Sequence, residues 1–270
     1  MGAVTYRDGI AILQLIIFPF IVVAALFIWK RTGWRTGSKI WRYAVTLGLI
    51  RISGSISSLL TISHDSYNVE VATAVCELIG IAPLLLTYVG ILRQIDMDQK
   101  MNPRLLKLLT LACFIGLVLG IAGVTTANDN ETTYHAHGMV KASMGIFLAA
   151  FVIIVLACSW LYAELRYNLR VFQKRLFFAS GLSYPFLLVR LIYSAISDYT
   201  TNPDFSVLDG NATIYLCMSV LEEIIAVGLT MVLGMSAVLQ RDFVKPTPKP
   251  IVEQAELRQD IADEHDGAYN

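Results

Sequence analysis

Seven apolar runs, each about as long as a bilayer crossing, constrain the fold of this 270-residue chain more than any other feature. A helix needs roughly 20 apolar residues to cross the hydrocarbon core of a membrane. Runs of that length lie at about residues 9–29, 42–63, 71–92, 105–126, 139–162, 176–197 and 212–237. Hydrophobic residues make up 56% of the chain and charged residues 16%, which leaves little sequence for a soluble domain. We therefore predict an all-α polytopic membrane protein with seven transmembrane helices over residues 1–242 and a disordered cytosolic tail over 243–270.

Basic residues are distributed unevenly between the connections. The connections after spans one, three and five contain Lys and Arg, whereas residues 64–70, 127–138 and 198–211 contain neither. The positive-inside rule then places the N-terminus in the lumen or outside the cell and the C-terminus in the cytosol. We predict that the protein lies in the membrane of the endoplasmic reticulum. Two Asn-x-Thr triplets, which begin at Asn130 and Asn211, fall on the lumenal side and are predicted glycosylation acceptors.

Weak internal similarity relates the first three spans to the last three. In span three, residues 77–96 read ELIGIAPLLLTYVGILRQID, and in span seven, residues 223–242 read EIIAVGLTMVLGMSAVLQRD. Spans one and five, and spans two and six, also share short matches in the same order. This order predicts two parallel three-helix units joined by span four. The alignment makes Glu223 the counterpart of Glu77 and Arg190 a rough counterpart of Arg51.

Ionisable residues lie inside these apolar runs, where each costs roughly 2.5–3.5 kcal/mol to insert. They are Arg51, Glu77, Lys141, Arg190, Glu222 and Glu223. At about 1.5 Å per helical residue, several of them reach similar depths, so spans two, three, six and seven are expected to surround one polar pocket. One interpretation is a purely structural ion-pair network, in which Arg190 pairs with Glu223 and Arg51 with Glu77 and the pairs fix the helix packing. For the whole set a functional site is favoured, because ionisable groups inside a membrane usually mark a site or pathway.

The chemistry that suits such a pocket is acid catalysis on an apolar substrate. A carboxyl group buried among apolar side chains is kept protonated and can act as a general acid. Tyrosine faces stabilise passing cations, and a closed apolar cavity excludes water. This combination favours protonation of an olefin or epoxide in a prenyl chain. The sequence has no DDxxD motif and no Cys/His ligand spacing, so we predict that the protein binds no metal. We also predict no cofactor and no nucleic-acid partner. The predicted substrate is a lipid-like molecule that enters from the membrane.

Three segments carry a resemblance to a known group of proteins: VTYRDGIAILQLIIFPF, KRTGWRTGSKIWRY and LGLIRISGSI. With the seven-span plan, they resemble a family of fungal integral membrane proteins. Seven-span proteins of fungal secondary metabolism include membrane-bound meroterpenoid cyclases, in which intramembrane acidic residues on two helices supply the proton. The resemblance implies a terpene cyclase of the isomerase type. It implies that Glu77 and Glu223 are the catalytic acids, with Glu222 as the alternative at the second position. The residues near these acids are predicted to bind substrate: Tyr88, Tyr184, Tyr193 and the arginines Arg51 and Arg190, which would also set the protonation of the acids.

Two other classes of protein stay open from the sequence. A heptahelical receptor or sensor has the same span number and orientation, although this chain has short cytosolic connections and no DRY-like triplet after span three. A small-molecule transporter is favoured by the internal repeat and by the charges inside the spans, but no paired Pro-Gln signature accompanies them.

Overall fold

Seven helices follow one another along the part of the chain that the computed structural model describes, namely residues 6–33, 37, 40–60, 79–96, 100–126, 138–167, 169–200 and 211–240. Within these ranges the secondary structure is helix and turn, without a strand. The helices are α1 (Tyr6–Thr32), α2 (Arg42–Leu60), α3 (Ile81–Ile95), α4 (Pro103–Thr126), α5 (Gly138–Leu165), α6 (Val171–Tyr199) and α7 (Ala212–Val238). The proposed tail at 243–270 lies outside the described residues.

Six of these helices are long and apolar enough to cross a membrane, which confirms the all-α polytopic class. The exception is α3, an apolar helix of 15 residues. Residues 61–78 lie outside the described part of the chain, so the third predicted span is described only from residue 79 onward. The seven-span count and the internal repeat therefore stay predictions.

Local sequence signals explain where several helices begin and end. Gly33, with a positive φ of 105°, follows the last residue of α1, as is common for a residue that terminates a helix. Asn102 precedes Pro103, and its side chain accepts a hydrogen bond from the Arg104 amide at 2.9 Å. Asn211 caps α7 in the same way through the amide of Thr213, at 3.0 Å. An Asn cap satisfies an amide that a helix leaves without a partner at its start.

The short helix α3 occupies the centre of the bundle. Every one of its residues except Arg93 is buried. It contacts α2, α4, α5 and α6, while α1 packs on α2 and on α7, α4 on α5, and α6 on α7. A helix that is apolar on all sides belongs in the middle of a helical assembly, because it has no face that prefers the exterior. The site described below forms where α2, α6 and α7 meet beside the start of α3.

One end of the bundle is held together by hydrogen bonds between helix ends and carries many basic residues. Arg93, at the end of α3, donates to the Thr110 hydroxyl of α4 at 2.8 Å. Gln173, in the first turn of α6, donates to the Ile95 carbonyl at 2.8 Å, and Arg175 of α6 donates to the carbonyl of Ser236 of α7 at 3.1 Å. These bonds bring the ends of α3 and α7 together with the starts of α4 and α6; we refer to this as the basic end.

Gly90 of α3 makes a close approach that allows no side chain. A Cβ atom at this position would lie 2.9 Å from the Cα of Ile40 and 3.1 Å from its carbonyl oxygen. Because these are backbone atoms, a side-chain rotation cannot relieve the clash. We predict that Gly90→Ala lowers the free energy of unfolding by about 1–3 kcal/mol, measured by thermal unfolding of the purified protein. Gly228→Ala is the matched control, because nothing lies within 4 Å of a Cβ there. Equal unfolding temperatures for the two variants would contradict this prediction.

Candidate functional site

Glu223 is the centre of a buried charge cluster that joins α2, α6 and α7. Arg51 donates through Nε to Oε1 of Glu223 at 2.7 Å and through Nη2 to Oε2 at 2.6 Å. Nη1 of Arg190 lies 2.7 Å from the same Oε2. The exposed fraction is 2% for each arginine side chain and 1% for Glu223. Two parallel N–H···O bonds between a guanidinium and a carboxylate are the strongest geometry for such a pair. We call these three side chains the charge cluster.

A π-helical segment in α7 supplies the next contact of the charge cluster. Residues Leu216–Val220 form this segment, directly before the α-helical part of α7 at Leu221–Val238. Within it, Ser219 accepts from Nη1 of Arg190 through its hydroxyl at 2.7 Å and through its carbonyl at 3.2 Å. A π-helical turn widens the ladder of backbone hydrogen bonds, and such turns are frequent at functional sites. Here the backbone carbonyl of Ser219, inside the bundle, accepts a hydrogen bond from the guanidinium of Arg190.

Residues on α1 and next to α3 surround the Arg51 side of the charge cluster. Ser55 donates to the Arg51 carbonyl at 2.8 Å and lies 3.0 Å from Oε1 of Gln14, which links α2 to α1. Gly80, immediately before α3, lies against the guanidinium, since a Cβ there would be 2.8 Å from Nη2 of Arg51. Both contacts restrict where the guanidinium can be placed.

A second group of polar side chains links α3, α6 and α7. The Tyr88 hydroxyl lies 3.0 Å from the Thr230 hydroxyl. Ser183 donates to the Ala226 carbonyl at 3.2 Å and lies 3.4 Å from the Thr230 hydroxyl. Hydroxyl groups inside a membrane bundle need partners of this kind, because lipid offers none. Tyr88 therefore has a structural role at the interface of three helices.

The neighbour of Glu223 is in a different environment. Glu222 is partly exposed on α7, between the exposed residues Leu221 and Ile225. Its Oε2 atom is buried, and no described residue provides it with a hydrogen-bond partner. An ionised carboxylate without a partner is costly outside water, so such a group is more stable with a proton bound. Glu223 is thus a carboxylate bound by two arginines, whereas Oε2 of Glu222 has no hydrogen-bond partner among the described residues.

The remaining predicted site residues either pack in other aromatic contacts or lie outside the described residues. Tyr184 packs its ring against Tyr88, with centroids 5.9 Å apart, and against Phe151 at 6.1 Å. Tyr193 is buried against Tyr215, with centroids 6.4 Å apart. Glu77 and the proposed glycosylation residue Asn130 lie outside the described residues. Among the described residues, no three His, Cys, Asp or Glu side chains lie close enough together to hold a metal ion.

The expected pairing of charges is confirmed for Arg190, whereas the partner expected for Arg51 lies outside the described residues. Arg190 pairs with Glu223, as the depths along the spans predict. Arg51 makes a bidentate contact with Glu223. Its expected pairing with Glu77 stays a prediction, because Glu77 lies outside the described residues. One carboxylate is therefore shared by guanidinium groups from two helices. The arginines are engaged in helix packing, and their predicted substrate-binding role stays a prediction.

Sequence reasoning did not identify Ser219, Gln14 or Thr230 as parts of the site. One signal for Ser219 was its position one helical turn before Glu223, on a helix that already carried an unusual charge. Gln14 was the one amide inside the apolar run of span one. A polar residue within an apolar span indicates a partner on another helix.

The apolar helices and the buried charge cluster together define an all-α polytopic membrane protein. A family model described as "Domain of unknown function (DUF7702)" matches residues 4–241, and the chain belongs to this family. The comparison with curated proteins gave no match, and neither did the comparison with solved structures. The family match covers all seven helices and ends at the close of α7.

Proposed function

We propose that this protein is an integral membrane terpene cyclase that starts the cyclisation of a prenylated substrate by proton transfer from Glu222. The observation that carries the proposal is the contrast between two adjacent carboxyl groups. Glu223 accepts hydrogen bonds or ion pairs from two arginines, while Oε2 of Glu222 is buried without a partner among the described residues. Enzymes place two neighbouring carboxyl groups in different environments so that one keeps its proton and acts as the donor while the other stays ionised.

The proposed reaction is an isomerisation. Glu222 gives its proton to the oxygen of a terminal epoxide, and the adjacent C–O bond breaks. An alkene of the same prenyl chain donates its electron pair to the carbocation and forms a C–C bond. Loss of a proton from the final cation to the Glu222 carboxylate restores the acid. The product has the mass of the substrate, and the reaction consumes no metal, cofactor or water.

The position of Glu222 supports a substrate that arrives from the bilayer. The exposed neighbours Leu221 and Ile225 mark the outward face of α7, which in a membrane faces lipid. A lipid-like prenylated phenol can reach a carboxyl group at the edge of this face without passing through water. In this proposal the charge cluster fixes the rotation of α7 and thereby orients Glu222.

The orientation and the organelle belong to the same proposal. The basic end is placed in the cytosol and the N-terminus in the lumen of the endoplasmic reticulum. Asn211, which caps α7 at the opposite end, is exposed and then lies on the lumenal side as a glycosylation acceptor. Production of meroterpenoid secondary metabolites is the pathway class that this activity implies.

Conversion of a defined substrate tests the proposed activity. Microsomes from a fungal host that expresses the full chain are incubated with an epoxidised farnesyl phenol and with its olefin precursor. We expect products of unchanged mass: from the epoxide, a new carbocycle and a hydroxyl group in place of the epoxide ring, and from the olefin, one ring more and one alkene fewer in the NMR spectrum. Microsomes from the host without the chain are the control. Recovery of both substrates unchanged, from membranes that contain folded protein, would contradict the cyclase proposal.

A receptor or transporter is the second candidate, and the charge cluster is the observation that favours it. Arg51 and Glu223 connect α2 to α7, so the pair holds the first half of the chain to the second. A buried pair between packed helices has discrete made and broken states, as a conformational switch requires. This candidate replaces the cyclase if no prenylated substrate is converted and a small molecule either alters G-protein coupling or accumulates in vesicles that contain the protein.

A further inference from the structure

A cavity between α5 and α6 lies at the basic end of the bundle, and no residue of the charge cluster lines it. Its volume is about 880 Å³, within the range of ligand-binding pockets. Residues of both helices and of the turn that joins them line the cavity. It opens sideways, because Phe178 and Leu182 on its wall are largely exposed, with exposed fractions of 62% and 39%. In a membrane this opening faces the lipid.

Four aromatic side chains line the wall of the cavity. Tyr162 of α5 and Phe177 of α6 meet edge to face, with ring centroids 5.4 Å apart. Tyr184 and Phe178 add two further rings. Gly181 contributes no side chain, and nothing lies within 4 Å of a Cβ atom built there, so the glycine leaves open space between the rings. The interior therefore suits a hydrocarbon chain.

The end of the cavity nearest the turn is cationic. Arg166 follows α5, Lys174 lies in the first turn of α6, and both exposed side chains line the cavity. The guanidinium of Arg166 stacks over the Tyr167 ring, 4.5 Å from its centroid, which restricts its position. Glu164, the acidic residue closest to Arg166 in sequence, pairs with Lys100 at 2.9 Å. The cationic groups of Arg166 and Lys174 thus lie beside the apolar part of the cavity.

We propose that this cavity binds a lipid with an anionic phosphate headgroup. The phosphate lies between Arg166 and Lys174, and an acyl chain follows the aromatic wall past Gly181 into the bilayer. Guanidinium and ammonium groups are both common ligands of phosphate. A zwitterionic headgroup presents its own cation to the same side chains, so the site favours a phosphomonoester over phosphatidylcholine. This site is independent of the proposed cyclase activity.

The test measures lipid binding to the detergent-purified full chain. Dioleoyl phosphatidic acid is titrated against the protein and bound lipid is counted by native mass spectrometry, with dioleoyl phosphatidylcholine and inorganic phosphate as comparison probes. We expect tighter binding of phosphatidic acid than of either probe. The double variant Arg166→Gln/Lys174→Gln should lower its affinity about 30-fold, since each basic residue near the membrane surface contributes about a factor of five.

Matched variants distinguish a specific lipid-binding site from nonspecific electrostatic attraction of the anionic lipid to the basic end. Arg104→Gln/Lys107→Gln removes two exposed cations from α4 at the same end, away from the cavity, and should leave the affinity unchanged. Gly181→Leu should reduce binding by filling the groove, whereas Gly228→Leu, also at an open position, should not. Thermal unfolding of each variant checks that it is folded.

Three results would overturn the proposal. One is equal affinity for phosphatidic acid and phosphatidylcholine. Another is an equal loss of binding in the α4 double variant and the cavity double variant. The third is binding of inorganic phosphate, sensitive to Arg166 and Lys174, as tightly as the lipid, because the occupant is then a free anion.

Discussion

Replacement of Glu223 by glutamine is expected to be among the most destabilising single substitutions in this protein. The amide keeps the shape of the side chain but removes its charge, so Arg51 and Arg190 lose the carboxylate that they share inside the bundle. Removing one partner from a buried ion pair costs about 3–5 kcal/mol. We expect a large drop in the unfolding temperature of the detergent-purified protein and a lower amount of folded protein in membranes.

Glu222→Gln is the matched control for this experiment, because it is the same substitution one residue away on the same helix. The carboxyl group of Glu222 has a buried oxygen without a partner among the described residues, so its removal should change the unfolding temperature little. Arg190→Gln should fall between the two, since it leaves the bidentate Arg51–Glu223 contact in place. If Glu223→Gln and Glu222→Gln unfold at the same temperature, the charge cluster does not stabilise the bundle as described.

The sequence predicts the helices well because their signal is local. A bilayer crossing needs a minimum run of apolar residues, and that run is visible without any knowledge of the neighbours. The predicted span at 139–162, for example, corresponds to α5 at Gly138–Leu165. Some helices extend beyond the apolar runs because polar residues continue the helix outside the apolar region, as in α6 at Val171–Tyr199, where the predicted run is 176–197.

The partners within the site are harder to predict because they depend on the rotation of each helix. Depth along a span follows from the rise per residue, which is how Arg190 and Glu223 could be matched. The angular position of a residue depends on every turn before it. The π-helical turn at Leu216–Val220 changes the angle of all later residues in α7, and no pattern in its sequence indicates it. The bidentate contact between Arg51 and Glu223 depends on that angle.

The predicted internal repeat distinguishes the two adjacent glutamates, which the helical period alone does not. It matched Glu223, and not Glu222, with an acidic residue in span three, and Glu223 is the member of the pair that is buried in the bundle. The cavity at Gly181 had no comparable signal. It depends on how α5 and α6 pack against each other, and a single glycine in an apolar helix does not reveal that packing.

Substitution of Glu222 by glutamine is expected to abolish the proposed cyclisation while the protein stays folded. Loss of a general acid lowers a rate by about 10²–10⁴-fold, because glutamine at this position cannot give up a proton to the substrate. The measurement is product formed per amount of folded protein in the microsomal assay, at a temperature below the unfolding transition of each variant.

Three variants are compared in that assay. Their turnover per folded molecule and their unfolding temperatures together identify the proton donor. Glu222→Gln should lose turnover with unchanged stability, whereas Glu223→Gln should lose stability and keep much of its turnover per folded molecule, because its carboxylate is already bound by two arginines. Glu77→Gln tests the second acidic position that the repeat predicts. Full turnover in Glu222→Gln together with none in Glu77→Gln would transfer the role of proton donor to span three. Full turnover in both would exclude a carboxyl group at either position as the acid, and the charge cluster would then have only the role of holding α2, α6 and α7 together.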